Sequence, residues 1–167
     1  MIRVARDDDW PAVLEVHRLA FGPEEDVPRL CEELVAGGFV VSALSFVALD
    51  GGRIAGHTMN SWVEIESSEG RLLQLSPLGV LPELQGRGHG SALVRASLEG
   101  ARALGQPLLL VEGSPAYYGR FGFVRADELG LLPPPEALYD WAFQVAVLDD
   151  AAELPQGRVV YPEPFRH

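Results

Sequence analysis

Between Leu72 and Val111 the chain reads as a strand, a glycine loop, a helix and a second strand, and this segment constrains the fold more than any other. Leu72 to Val80 has strand character. Gln85-Gly86-Arg87-Gly88-His89-Gly90-Ser91 then places three glycines within five residues. From Ser91 to Leu104 the apolar residues Leu93, Val94, Leu98, Ala101 and Leu104 recur at helical spacing, and Gly105 supplies a C-terminal cap. Leu108-Leu109-Leu110-Val111 is apolar on both faces and too short for a helix, which predicts a fully buried strand. Strand, helix and strand at this spacing imply a right-handed parallel crossover.

The flanking sequence supplies the rest of a sheet. Ile2 to Ala5 predicts a short strand, and Asp8 or Asp9 an N-cap before Trp10-Pro11 and a first helix that runs to Gly22. A second helix is expected from Pro23 to Gly37-Gly38, with Glu24, Glu25 and Asp26 in its first turn, where the helix dipole favours them. Ser45 to Leu49, the turn Asp50-Gly51-Gly52, Arg53 to about Val63, the turn Ser67-Ser68-Glu69-Gly70, and Leu72 to Val80 form an antiparallel meander. Trp141 to Val147 and Arg158 to Tyr161 read as late strands. The expected class is α/β (α+β): a mixed central sheet, antiparallel in its N-terminal part and parallel at its fourth and fifth strands, with helices on both faces.

Composition bounds what such a sheet serves. With 167 residues, 47% of them apolar, the chain suits a single domain over residues 1–167. Thirteen basic against 24 acidic residues give a net charge of −11, which repels phosphate backbones and anionic membranes and argues against nucleic-acid or membrane partners. All the basic residues are arginine, and the absence of lysine removes Schiff-base chemistry and the Walker lysine. Cys31, the single cysteine, can form neither an internal disulfide nor a multi-cysteine metal site. The opening residues lack the apolar core of a secretory signal, and the longest largely apolar run, Phe39 to Leu49, is far short of the ~20 residues of a membrane span. A cytoplasmic protein is expected.

The glycine loop carries the functional signal. Without Cβ atoms at Gly86, Gly88 and Gly90 the backbone can turn tightly and aim successive amides outward at a helix N-terminus, a nest suited to a phosphate or pyrophosphate. The dinucleotide fingerprint is not met, because Ser91 stands where a third Gly or Ala belongs. The Walker spacing is absent as well. An ordinary strand-to-helix turn would use the same residues, so the surroundings decide between the readings.

Those surroundings are Leu75-Ser76-Pro77-Leu78-Gly79-Val80-Leu81-Pro82 ahead of the loop and Tyr117-Tyr118-Gly119-Arg120-Phe121-Gly122-Phe123 after the buried strand. Together they resemble the signature of the GCN5-related N-acetyltransferases: a Q/R-x-x-G-x-G/A loop after a strand ending in V-x-P, and a later Y-x-x-x-G-F segment. In particular the chain is similar to a small bacterial branch of that family, and the likeness runs from Ile2 to the tail motif Tyr161-Pro162-Glu163-Pro164-Phe165.

The resemblance implies an acetyl-CoA-dependent N-acyltransferase that moves an acetyl group directly to an amine in a ternary complex. Leu78, Gly79 and Val80 would pair with the pantetheine of the cosubstrate as an added strand would. Gly86, Arg87, Gly88, His89, Gly90 and Ser91 would hold its pyrophosphate, with Gln85 bracing the loop or reaching the phosphates. The Val80 N–H would polarise the thioester carbonyl, and Tyr118 would act as general acid. Both tyrosines could instead be aromatic packing. Glu64, Glu66 and Glu112 are candidates for the general base, although Glu64 and Glu66 also suit a solvated strand end. Gly113-Ser114-Pro115 replaces the G-D-P common in that branch, so an aspartate contact is not implied. His57 reads as a core histidine, and His17, His57 and His89 do not form a metal-ligand pattern, so no metal is expected. The acceptor would be a small-molecule or peptide amine, which an acidic surface attracts in its cationic form, and the protein a monomer or homodimer. A non-catalytic module that senses acyl-CoA on the same fold is the competing reading.

Overall fold

The computed structural model describes residues 1–66 and 68–166. Its contacts divide the chain into two compact units, one of residues 1–61 and 75–100, the other of residues 62–74 and 101–167.

In the first unit the strands β1 (Ile2–Val4), β2 (Phe46–Asp50), β3 (Arg53–Ile65) and β4 (Ser68–Val80) follow one another in the sheet. β1 on β2 and β2 on β3 are antiparallel, with an irregularity at Ala48/Leu49. The helix α1 (Trp10–Phe21) packs against α2 (Val27–Ala36). Val16 of α1, Ala55, Leu81 and Leu84 form one buried apolar cluster. Asp9 stands at the N-cap of α1, as the sequence suggests, but its carboxylate does not cap the helix. It accepts two hydrogen bonds from Arg3, at 2.6 and 3.0 Å, and one from the Arg6 amide at 2.7 Å, tying β1 to the turn that follows. These donors, the Arg3 guanidinium foremost, lower its pKa to about 2.

The helix α2 begins at Val27 rather than Pro23. Asp26 is left-handed (φ 45°), which breaks the helical path, so Glu24 and Glu25 precede the helix instead of lining its first turn. The long helix α3 (His89–Ala103) starts two residues earlier than its apolar stripe predicts, taking His89 and Gly90 into its first turn.

The second unit holds the ends of β3 and β4 together with β5 (Leu108–Glu112), β6 (Val124–Arg125), β7 (Leu131–Leu132), β8 (Phe143–Val147) and β9 (Gly157–Val160). Its sheet order is β4-β5-β8-β6, with β9 on β3 and β7 on β9. Leu108 to Val111 of β5 are buried, and Leu108 to Glu112 pair antiparallel with Val147 to Phe143. Phe143, Val145, Leu108, Leu110, Val159 and Leu131 form its core, all at most 1% exposed. β4 begins at Ser68, so Ser68-Glu69-Gly70 are strand rather than turn, and the expected Ser67 corner lies outside the described residues. Trp141 falls in a 3₁₀ turn ahead of β8 rather than in the strand. The sheet is mixed, as expected, with parallel pairing of β4 with β5 and of β7 with β9. Among the described residues no helix is long and apolar enough to cross a membrane.

Candidate functional site

In the first unit the end of β4 leads through a 3₁₀ turn (Pro82–Leu84) into the glycine loop and α3. Gly86 and Gly88 have φ of 78° and 90°, left-handed conformations that an L side chain rarely adopts. A Cβ at either would meet nothing within 4 Å, so the requirement for glycine lies in the backbone and not in crowding. The loop hands over to α3 at His89, and the Ala92 amide donates back to the Gly88 carbonyl at 3.0 Å. Gln85 braces the segment by donating from Nε2 to the Val80 carbonyl at 3.1 Å. Arg87 is exposed at the rim, 3.6 Å from the Asp50 carboxylate. His89 Nε2 lies 3.1 Å from the same Asp50 oxygen. The hydrogen bond with His89 is the main cause lowering the Asp50 pKa. Asp50, read from sequence only as part of an Asp-Gly-Gly turn, thus anchors two residues of the loop.

Leu78, Gly79 and Val80 lie at the C-terminal end of β4. Thr58 of β3 donates its hydroxyl to the Pro77 carbonyl at 2.9 Å, and the Leu81 amide donates to Ala55 O at 2.8 Å, so both ends of the triplet are held by β3. Gly79 is closely approached from two sides. A Cβ added there would lie 2.8 Å from His17 Nδ1, while one added at Gly56 would lie 3.0 Å from the Gly79 carbonyl. A strand end followed by two left-handed glycines at a helix N-terminus fits a ligand that carries a pyrophosphate.

In the second unit the short helix α4 (Pro115–Tyr118) follows β5 directly, with Ser114 at its N-cap accepting from the Tyr117 amide at 3.4 Å. Ser114 therefore caps the turn. Tyr118 is buried, 9% exposed, and its ring lies where a Cβ on Gly113 would stand. Burial raises its pKa, with the neighbouring Tyr117 adding to the effect, so the phenol holds its proton. Tyr117 packs edge-on against Tyr118 and Phe121, and Arg120 lies over its ring at 4.7 Å.

The three carboxylates differ in setting. Glu64 and Glu66 alternate with buried Val63 and Ile65 and are exposed, sharing one face of the chain as the alternation predicts. Glu112, at the end of β5, is half-buried and accepts a hydrogen bond from the Tyr161 hydroxyl at 2.9 Å. That hydroxyl in turn accepts from Gln74 Nε2 at 2.8 Å. Sequence reasoning marked Tyr161 only as part of a tail motif and missed Gln74, because nothing local links positions 74, 112 and 161. Cys31 is fully buried, and burial pushes its thiol up to about 12.

Comparison with known proteins follows the same lines. Residues 1–126 match the family described as the acetyltransferase (GNAT) domain. Over 99% of its length the chain is 31% identical to the uncharacterized N-acetyltransferase YhbS of Escherichia coli, of which it covers 98%. The crystal structure of that GNAT-family protein in complex with CoA superposes on the whole chain with a TM-score of 0.89 and 92% of its own length covered. A GNAT-family acetyltransferase of Brucella melitensis, solved with acetyl-CoA, is 29% identical, with a TM-score of 0.80 over 99% of this chain and 97% of its own. On that match and that relative, this chain belongs to the GNAT acetyltransferase family.

Proposed function

We propose that the protein is an N-acyltransferase that takes an acetyl group from acetyl-CoA and delivers it directly to the amine of a small-molecule or peptide acceptor, both substrates being bound together. The observation that carries this reading is the path from β4 into α3. Leu78 to Val80 close β4, and beyond them Gly86 and Gly88 hold left-handed turns ahead of the α3 N-terminus, a backbone suited to a pyrophosphate. The CoA and acetyl-CoA complexes of the two similar proteins support the same ligand.

The donor supplies an activated thioester, and three tasks remain for the protein. The carbonyl oxygen must be polarised, the amine must lose a proton, and the departing sulfur must gain one. The Val80 N–H is the proposed donor to the carbonyl. Tyr118 is the proposed acid: burial keeps its phenol protonated at neutral pH, so that a proton is at hand for the departing thiolate. Glu112 is the favoured base among the three carboxylates, because the Tyr161 hydroxyl fixes its orientation. Glu64 and Glu66, on a solvated face, are retained as the alternatives.

The test is thiol release from acetyl-CoA in the presence of a panel of primary amines, run beside melting curves with acetyl-CoA. Tyr118→Phe should lower turnover by roughly 10²- to 10⁴-fold while leaving the acetyl-CoA melting shift in place. Binding of acetyl-CoA with no thiol release above background across the panel would reject the transferase and leave an acyl-CoA sensor.

A further inference from the structure

The first unit contains a line of buried polar side chains to which the proposed reaction gives no role. Ser45 Oγ lies 2.9 Å from His57 Nε2, and His57 Nδ1 lies 2.8 Å from His17 Nε2. Ser45 is 8% exposed and both histidines are fully buried. The line ends at His17 Nδ1, a buried nitrogen without a hydrogen-bond partner among the described residues. That nitrogen faces Gly79, at the position a β-carbon there would crowd.

The line fixes the His17 ring. Burial lowers the pKa of His17 to about 4 and that of His57 well below its usual value, so both rings are neutral and the two facing nitrogens share one proton. One must donate and the other accept, which sets both rings' orientations. Phe21 stacks on His17 with centroids 6.0 Å apart, and Trp10 meets His57 edge-on at 6.4 Å. An unsatisfied buried nitrogen is costly, and a fully packed apolar side chain in its place would avoid that cost. The feature that ring supplies is a flat, rigid surface against the one residue of Leu78-Gly79-Val80 that lacks a side chain.

We propose that His17 is a positioning residue for the donor strand: its ring, held by His57 and through it by Ser45, sets where the Gly79 backbone lies and thereby the register in which Leu78 to Val80 meet acetyl-CoA. The role in binding rests on the donor reading above, whereas the control of the strand's position does not. Glycine at 79 is then matched to the histidine at 17, and the two positions form one unit.

A double-mutant cycle with two readouts tests this. The readouts are acetyl-CoA affinity by titration calorimetry and the backbone NMR signals of residues 78 to 80. Gly79→Ala places a Cβ against the ring and should weaken acetyl-CoA binding about tenfold, and adding His17→Ala to it should recover at least threefold of that loss. His17→Gln, which keeps a polar group for His57 but removes the ring, should move the signals of residues 78 to 80 and weaken binding. Ser45→Ala, a milder change that leaves both rings in place, should move the same signals less. If the His17 variants unfold, Ser45→Ala and Gly79→Ala carry the test by the same signals. Signals at 78 to 80 that move in the His17 variants of a protein that does not bind acetyl-CoA would uphold the positioning role and reject the donor reading. Purely additive losses in the cycle, or signals unmoved in both His17→Gln and Ser45→Ala, would overturn the proposal.

Discussion

Replacing Gly88 by alanine isolates the contribution of backbone conformation to the glycine loop. The residue sits at φ 90°, and an added methyl would meet nothing within 4 Å, so no clash contributes. What remains is the strain of holding an L-residue left-handed, about 1–2 kcal/mol. For a chain of this length each kcal/mol corresponds to about 2–4 °C in Tm, so Gly88→Ala should melt about 2–8 °C lower than the parent. The strain is relieved if the loop turns φ negative, which swings the neighbouring amides away from a bound pyrophosphate. Acetyl-CoA, which adds about 2.7 kcal/mol at 100 times its Kd, should therefore raise the Tm of the variant by clearly less than it raises that of the parent. Gly119→Ala is the control: at φ −57° and with open space around its Cβ position, it should shift stability by no more than about 0.5 kcal/mol. Melting curves of the three proteins with and without acetyl-CoA decide the matter. A Gly88→Ala protein with unchanged Tm and an undiminished shift would refute the assignment of the loop as a conformationally specified phosphate nest.

Other perturbations read the remaining polar contacts. Asp9 has a folded-state pKa of about 2, below the ordinary 3.8 of an aspartate, so its stabilisation is complete above about pH 4 and disappears as pH falls through 2. Asp9→Asn should cost about 1.5–3 kcal/mol at pH 7, seen in urea unfolding, and the deficit should close toward pH 2. Cys31 should fail to react with an aromatic disulfide reagent in the native protein at pH 8 and react fully once unfolded, because its buried thiol stays protonated up to about 12. Tyr161→Phe leaves Gln74 and Glu112 without their shared partner and should cost about 1–3 kcal/mol in denaturant unfolding. If Glu112 is the base, the same variant should also move the acidic limb of the pH–rate profile.

The helices and strands that could be read in advance are those whose apolar pattern is set locally. α1, the stripe of α3, and β5 with its two buried faces are of this kind. Boundaries were misplaced where a single backbone angle or a distant partner decides. Asp26 at φ 45° delays α2, and the pairing that extends β4 back to Ser68 has no signal in Ser68-Glu69-Gly70 themselves. The site divides in the same way. Its glycines and tyrosines stand in contiguous motifs, whereas Asp50 beneath the loop, His17 against Gly79, and Gln74 behind Tyr161 act across 39, 62 and 87 positions of sequence. Such contacts exist only once the chain is folded, and a pattern confined to neighbours carries no trace of them. The histidines illustrate the point: His57 reads correctly as a buried core residue, yet only its bond to His17 gives that burial a purpose.

The pairing of β5 with β8 has a consequence for how such a protein can diverge. The family match ends at residue 126, but every residue of β5 is paired with residues 143–147, and Glu112 is oriented by Tyr161. Residues beyond the family match thus complete the sheet and core around β5 and orient the Glu112 carboxylate. A change in residues 127–167 must therefore be matched in β5, because Phe143 and Val145 share one core with Leu108 and Leu110.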